Sequence, residues 1–353
     1  MIRRLVSAAV VVTGIILICS DAECKYGGAF EENFFGRRPS AAGEALGRGM
    51  VALSGDILSS VYNPAGLADA IGLSFCTSVS GASNTLEGAD HTFLGAGIPV
   101  GTYFGVGLSW YHLDYGTAVH HPGRRNEPSA PQSSIYTLTV AARPVAHFYV
   151  GANLNLLRAK FPGQSRSSLW PDLGVMKVFR WGESGNIEHR ISLGSSLSNC
   201  TGSDIDSPTG REDLPVAFRI GTAYRVSWVH RSWHNRLRTL GLLCHLEYQD
   251  VLNWDYRDAY KIGGEVRLLE ILALRIGYYY GNIADQDVAV DEYWDGETTY
   301  GLGLGLPISR LSRNAPPLRV SFDWVSREEP KQTEGSTDPV RFSIYTLCVD
   351  WFF

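Results

Sequence analysis

From residue 72 to the end of the chain, apolar side chains recur at every second position. That is the strand period, and a sequence written this way cannot settle as a helix. Residues 318–324 place Leu318, Val320, Phe322 and Trp324 on one face, with Arg319, Ser321 and Asp323 on the other. Residues 272–280 do the same with Leu272, Leu274, Ile276, Tyr278 and Tyr280 against Arg275 and Gly277. So do residues 104–110, where Phe104, Val106, Leu108 and Trp110 alternate with Gly105, Gly107 and Ser109. About fourteen such segments follow one another, which predicts an all-β chain.

The links between segments carry a second signal. Those at 100–101, 144–146, 182–185 and 269–270 are brief, whereas 120–133 and 327–340 are long and rich in Gly, Pro, Ser, Asp and Arg. The links at 228–235 and 307–315 are intermediate. Tight turns at one end and long loops at the other are the pattern of a transmembrane antiparallel β-barrel. In such a barrel the apolar face looks out to lipid, and closure satisfies the backbone where no water can. Thirty-eight Gly and forty aromatic residues (9 Trp, 17 Tyr, 14 Phe) suit strands and interfacial girdles better than helices. Trp110, Tyr115, Trp181, Trp228, Trp254, Trp294, Trp324 and Trp351 are the girdle candidates. The chain ends on Tyr345, Leu347, Val349, Trp351 and Phe353, an alternating run that stops at an aromatic carboxyl terminus. That run resembles the signal read by the outer-membrane barrel assembly machinery. A net charge of −5 leaves no basic footprint for nucleic acid.

The first residues read as an address. Arg3 and Arg4 precede the apolar run Leu5–Ile18, and Ser20 and Ala22 supply small residues before a cleavage point. Residues 1–22 are therefore expected to be a secretory signal peptide, since the run is short for a membrane helix. Cys19 and Cys24 follow Ile18 and Glu23, which does not fit lipid attachment. The domain plan is a signal peptide (1–22), a plug segment with short helices (23–70) and a barrel (71–353), in the bacterial outer membrane with its lipid as solvent.

Residues 39–70 lose the period of two. Ala41, Ala42, Ala45, Leu46 and Met50 favour a short helix, and Asn63-Pro64-Ala65-Gly66 reads as an N-cap followed by a proline that needs no donor. The run from Gly43 to Asp56, followed by Asn63-Pro64-Ala65-Gly66-Leu67-Ala68, resembles the amino-terminal signature of the PorV/PorQ family of outer-membrane barrels. Phe93–Pro99, Leu113–Gly116, Leu274–Tyr278 and Gly301–Gly305 are similar to that family too. The departures are Gly55 before Asp56 and the more apolar Leu58-Ser59-Ser60. The Asn-Pro-Ala element is shared with FadL, a transporter of hydrophobic compounds whose fold is a plugged fourteen-stranded barrel.

The resemblance implies two roles. A PorV-like barrel binds or shuttles secreted protein cargo in type IX secretion. A FadL-like barrel passes hydrophobic small molecules, with Asn63, Pro64, Ala65 and Gly66 near the gate. Neither role is enzymatic. No H-E-x-x-H, G-x-S-x-G or P-loop run occurs, and nothing calls for a cofactor or a metal. His112, His120 and His121 read as loop-side histidines, and His245 with Glu247 as part of a lumen polar network. Arg143, Arg190, Arg219, Arg225, Arg267, Arg275 and Arg319 are expected to point into the lumen or sit near its rims, with Glu188, Glu247, Glu265 and Asp323, as a mixed-charge network. The cysteines form no recognisable disulfide framework or zinc motif. Cys76 and Cys348 nevertheless fall on the polar faces of the first and last strands, where closure would bring a seam disulfide within reach if the register allows.

Overall fold

The computed structural model describes residues 38–81, 90–114, 132–161, 164–207, 210–232, 235–253, 258–283, 293–308, 316–329 and 340–352. The expected signal peptide, Tyr115, His120, His121, Trp254 and Phe353 lie outside them. Fourteen strands form one closed antiparallel barrel. In chain order they are β1 (Gly72–Gly81), β2 (Asp90–Val100), β3 (Phe104–Asp114), β4 (Gln132–Val145), β5 (Phe148–Phe161), β6 (Gln164–Trp181) and β7 (Ile187–Ser198). After a small hairpin, β8 (Asp204–Ser207) with β9 (Gly210–Asp213), come β10 (Ala217–Ser232), β11 (Asn235–Val251), β12 (Ala259–Leu268) and β13 (Leu272–Ile283). The barrel ends with β14 (Tyr293–Pro307), β15 (Leu318–Glu329) and β16 (Val340–Phe352), which pairs back onto β1.

Alternation does what a membrane barrel requires. Leu108 is 63% exposed, Tyr300 58% and Leu246 54%, while the positions between them point inward. In a protein that folds in water such a belt would be an adhesive surface; in lipid it is the solvated face. Trp181 and Trp351 lie on this outer face, and so do Tyr345 and Leu347 of the terminal run. The inner face carries small, polar and charged residues, Arg219, Arg275, Glu247 and Glu265 among them, all buried. No described helix is long and apolar enough to cross a bilayer.

Two sequence expectations are revised. The link at 228–235 is shorter than its composition implied, because β10 continues to Ser232 and β11 begins at Asn235. The aromatic and β-branched run Trp228-Val229-His230 stays in the ladder, with a register shift between Trp228 and Val229. The hairpin β8–β9 went unread, since four-residue strands leave almost no periodicity to detect. The short turns are tight: Gly101 and Gly182 take positive φ, and so do Leu269 and Glu270 between β12 and β13. That handedness matches the twist of the flanking strands.

Closure also decides the cysteines. Cys76 on β1 lies directly opposite Cys348 on β16, and the two form a disulfide across 272 residues of sequence. Cys244, a thiol outside this disulfide, lies on the exposed outer face.

Candidate functional site

The lumen is occupied by residues 38–70. Two short helices, α1 (Ala41–Ala45) and α2 (Ser59–Tyr62), are followed by a 3-10 turn, Pro64–Asp69. Each is too short to persist alone, so the wall must hold them. Ser40 caps α1 by accepting from the Gly43 N–H. Asn63 stands at the cap of the 3-10 turn, with Pro64 next. Its Oδ1 accepts from the Ala65 N–H at 3.1 Å, and its Nδ2 donates to the carbonyls of Val51 at 2.8 Å and of Val175 on β6 at 3.0 Å. One buried side chain thus caps a turn, closes the plug loop on itself and fastens it to the barrel.

The strands meet the plug through glycine. A Cβ at Gly174 would strike the Asn63 amide oxygen, and one at Gly151 would strike the Pro64 carbonyl carbon. Gly194 faces the Val51 carbonyl in the same way, and Gly277 the Gly47 nitrogen. These wall positions form seats into which plug backbone descends, which the alternation pattern could show only as a small, polar face. On the seats' flanks Ile57 and Leu67, both fully buried, rest against Gly107 and Gly97.

Polar pins surround the seats. On β11 and β12, Glu247 Oε2 accepts from the Val51 N–H at 2.9 Å, and the Lys261 ammonium binds its other oxygen at 2.9 Å. His245 Nε2 donates to the Leu46 carbonyl at 2.6 Å. The expected His245–Glu247 network therefore exists, but both residues hold the plug. Glu44 pairs with Arg327 of β15 at 2.6 Å, both fully shielded. Thr346 accepts from the Ala41 N–H at 3.0 Å, and Asn153 donates to the Ser60 carbonyl at 3.0 Å.

The strongest clamp closes the C-terminal end of the 3-10 turn. Asp69 binds Arg180 of β6 at 2.6 Å and Arg190 of β7 at 2.8 Å, and accepts from the Tyr149 hydroxyl at 2.7 Å and the Ser54 hydroxyl at 2.9 Å. Burial pushes the Asp69 carboxyl up, but Arg190 and Arg180 outweigh it and hold it below the ordinary range. Asp56 goes the other way. Burial lifts it to about 6, against a lowering hydrogen bond from the Ser59 N–H. Asp69, Arg180 and Tyr149 were not singled out in the sequence; the one hint was an acid closing the Asn63–Asp69 run.

The plug has a charged cavity on one side and a packed apolar cluster on the other. Toward the short-turn rim is a cavity of about 770 Å³, lined by Asp56, Asp69, Arg190, Arg225, Arg267 and Arg319, among others. Of the expected lumen charges, Arg275 bridges Glu265 at 2.7 Å and Asp323 at 2.6 Å beside it. Arg143 takes the rim position that was the other expectation for these arginines, bonded to the Thr102 carbonyl. Toward the long-link rim, the inner faces of β2, β3, β5 and β6 present Phe93, Tyr111, Leu113, Leu157 and Trp170, all buried in one apolar cluster with Ile57 and Leu67 of the plug. Ile205 of β8 and Leu214 cover the cluster from above. The Leu214 carbonyl accepts from Asn199 and Asn253. Trp170 is an inner residue, unlike the girdle tryptophans. Among the described residues no three His, Cys, Asp or Glu side chains gather as a metal site.

No family model and no curated protein matches this chain. Solved structures that are similar include the Pseudomonas putida toluene transporter TodX, at 12% identity and a TM-score of 0.47, over 89% of this chain and 98% of that one. A Pseudomonas aeruginosa FadL homologue aligns at 13% identity and a TM-score of 0.46, over 89% and 98% of the two chains. The CymD monoaromatic hydrocarbon channel aligns at 12% identity and a TM-score of 0.48, over 89% and 97%.

Proposed function

We propose that this chain is a plugged outer-membrane channel for hydrophobic small molecules, working without catalysis or cofactor. The reading rests on one feature of its own interior, the apolar column of Phe93, Tyr111, Leu113, Leu157 and Trp170 between the plug and the covering Ile205 and Leu214. A pore for polar solutes gains nothing from such a lining, because each solute would shed its hydration there. An apolar solute gains about 25 cal/mol for every Å² it hides from water. The column ends on Ile57 and Leu67, so the solute arrives at the plug, and the plug must shift for it to proceed. Asn63, Pro64, Ala65 and Gly66 form the hinge side of that shift, since Asn63 holds both the turn and the wall. Export through a cleaved signal peptide, and insertion by the assembly machinery through the aromatic terminal strand, complete the picture. The protein-cargo role implied by the PorV/PorQ resemblance has no comparable support inside the barrel.

The test is uptake of a labelled monoaromatic compound into cells that lack other routes. The barrel should raise uptake, and Leu157→Arg should lower it by about tenfold or more by placing an unpaired charge in the column. Equal uptake by that variant, with the barrel assembled normally as judged by heat-dependent gel migration, would reject the reading.

A further inference from the structure

We propose that the outer surface of β2–β6, at the long-link rim, binds the phosphate of an anionic lipid headgroup. The outward face of β5 runs Phe148, Val150, Ala152, Leu154, Leu156 and then, without transition, Arg158 and Lys160. The apolar stretch spans nine residues, the length a tilted strand needs to cross the hydrocarbon. Arg158 and Lys160 therefore stand where hydrocarbon gives way to headgroups.

The register shows that this is a surface and not one strand's ending. Thr92 lies opposite His112, His112 opposite Ser134, Ser134 opposite Arg158, and Arg158 opposite Ser167. One step higher, Asp114, Gln132, Lys160 and Ser165 form a second row. Directly beneath run Leu94, Trp110, Tyr136, Leu156 and Leu169, the top of the lipid belt. Two polar rows thus sit on a rigid sheet over an aromatic ledge, acidic at their β2–β3 end and basic on β5.

The side chains are held at that height. The Arg158 guanidinium lies 5.9 Å from the Tyr136 ring centroid. His112 stacks on Trp110 at 5.4 Å and bonds the Ser134 hydroxyl at 2.9 Å. Gln132 donates to Asp114, and Asp90 lies opposite Asp114 on β2, so the acids of this row stand at its β2–β3 end, away from Arg158 and Lys160 on β5. Arg158 and Lys160 are both exposed, and among the described residues neither forms an ion pair. An exposed guanidinium and ammonium on one strand face at a lipid boundary attract an anionic headgroup, and a phosphate meets the guanidinium's paired donors. The surrounding hydroxyls of Ser134, Ser165 and Ser167 can bond the remaining oxygens. Across the barrel the rim has the opposite sign, with Asp250 outward on β11 and Asp258 just before β12. The site is therefore on one side of the barrel, not a ring around it.

The experiment is native mass spectrometry of the full detergent-solubilised barrel, titrated with diphosphoryl lipid A, with its dephosphorylated form and with inorganic phosphate. The expected result is retention of the phosphorylated lipid and weakening by about tenfold or more in Arg158→Gln/Lys160→Gln, as two headgroup contacts are lost. Asp250→Asn should bind as the unaltered chain does. Equal retention by the double variant, or equal retention of the dephosphorylated lipid, overturns the proposal. So does inorganic phosphate binding as tightly as the lipid, which would make this a free-anion site. Heat-dependent gel migration confirms that each variant is an assembled barrel. The inference needs only the membrane placement, so it stands or falls independently of what the channel carries.

Discussion

The two halves of the lumen differ as sharply as the two faces of a strand. Toward the long links, Phe93, Leu113, Leu157 and Trp170 exclude water. Toward the short turns, Arg190, Arg225, Arg267 and Arg319 line a charged vestibule with Asp56 and Asp69. The plug is the boundary, and its own residues are sorted to match. Ile57 and Leu67 belong to the apolar cluster, while Asp69 reaches the arginines. The difference shows that the plug is more than filler, because its two sides are matched to a packed apolar cluster and a charged cavity.

The comparison can be broken most severely at a seat. Gly174→Leu places a side chain where Asn63 and Pro64 rest. The plug should fail to dock, and ion conductance in a planar bilayer should rise by about tenfold or more, since the lumen then holds continuous water. Unchanged conductance would mean that the seats do not hold the boundary. Next comes the clamp. Asp69→Asn leaves Arg180 and Arg190 without their shared carboxylate, at a cost of roughly 3 kcal/mol to plug docking. Hydrogen exchange of the plug amides should quicken accordingly, while the strand amides stay protected. Asn63→Ala removes a cap and two carbonyl contacts and should cost about 2 kcal/mol, read by the same exchange measurement. Uptake of the hydrophobic tracer should change with it if the hinge is on the path.

The smallest effect is that of pH on Asp56. Its folded value of about 6 lies above the ordinary 3.8, so the docked plug binds the proton more tightly than a released one. Docking is therefore favoured as pH falls from about 6 toward 4 and weakened as pH rises through 6, by at most about 1.4 kcal/mol per pH unit. Asp69 works in the opposite direction, because its folded value is depressed; its clamp weakens only in stronger acid. Asp56→Asn should abolish the response near pH 6. A response that survives this substitution would assign it to another group.

Much of the barrel was legible because its rule is local. Residues 104–110 and 318–324 each announce which side chains face out, and Tyr345, Leu347, Val349 and Trp351 of the terminal run all fall on β16. Where structure departs from expectation, the signal was too short or was not carried by alternation. The hairpin Asp204–Asp213 is too brief to show a period. Trp170 looks like any girdle tryptophan until the register places it beside Asp172 on the inner face. The seats at Gly151 and Gly174 read only as small residues, because what makes them necessary is the backbone of another segment.

The amino-acid order by itself determined the crossing strands, their number and the face each turns to lipid, since a period of two is settled between neighbours. It also marked Asn63-Pro64 as the start of a turn, because capping needs only adjacent residues. Tertiary structure alone decided the meetings of distant residues. Cys76 finds Cys348, Asp69 finds Arg180, and Asn63 finds Val175 only after the sheet has closed in one register. A slip of one residue along β16 would turn every side chain on that strand to the wrong side, so register has to be selected by the whole ring at once.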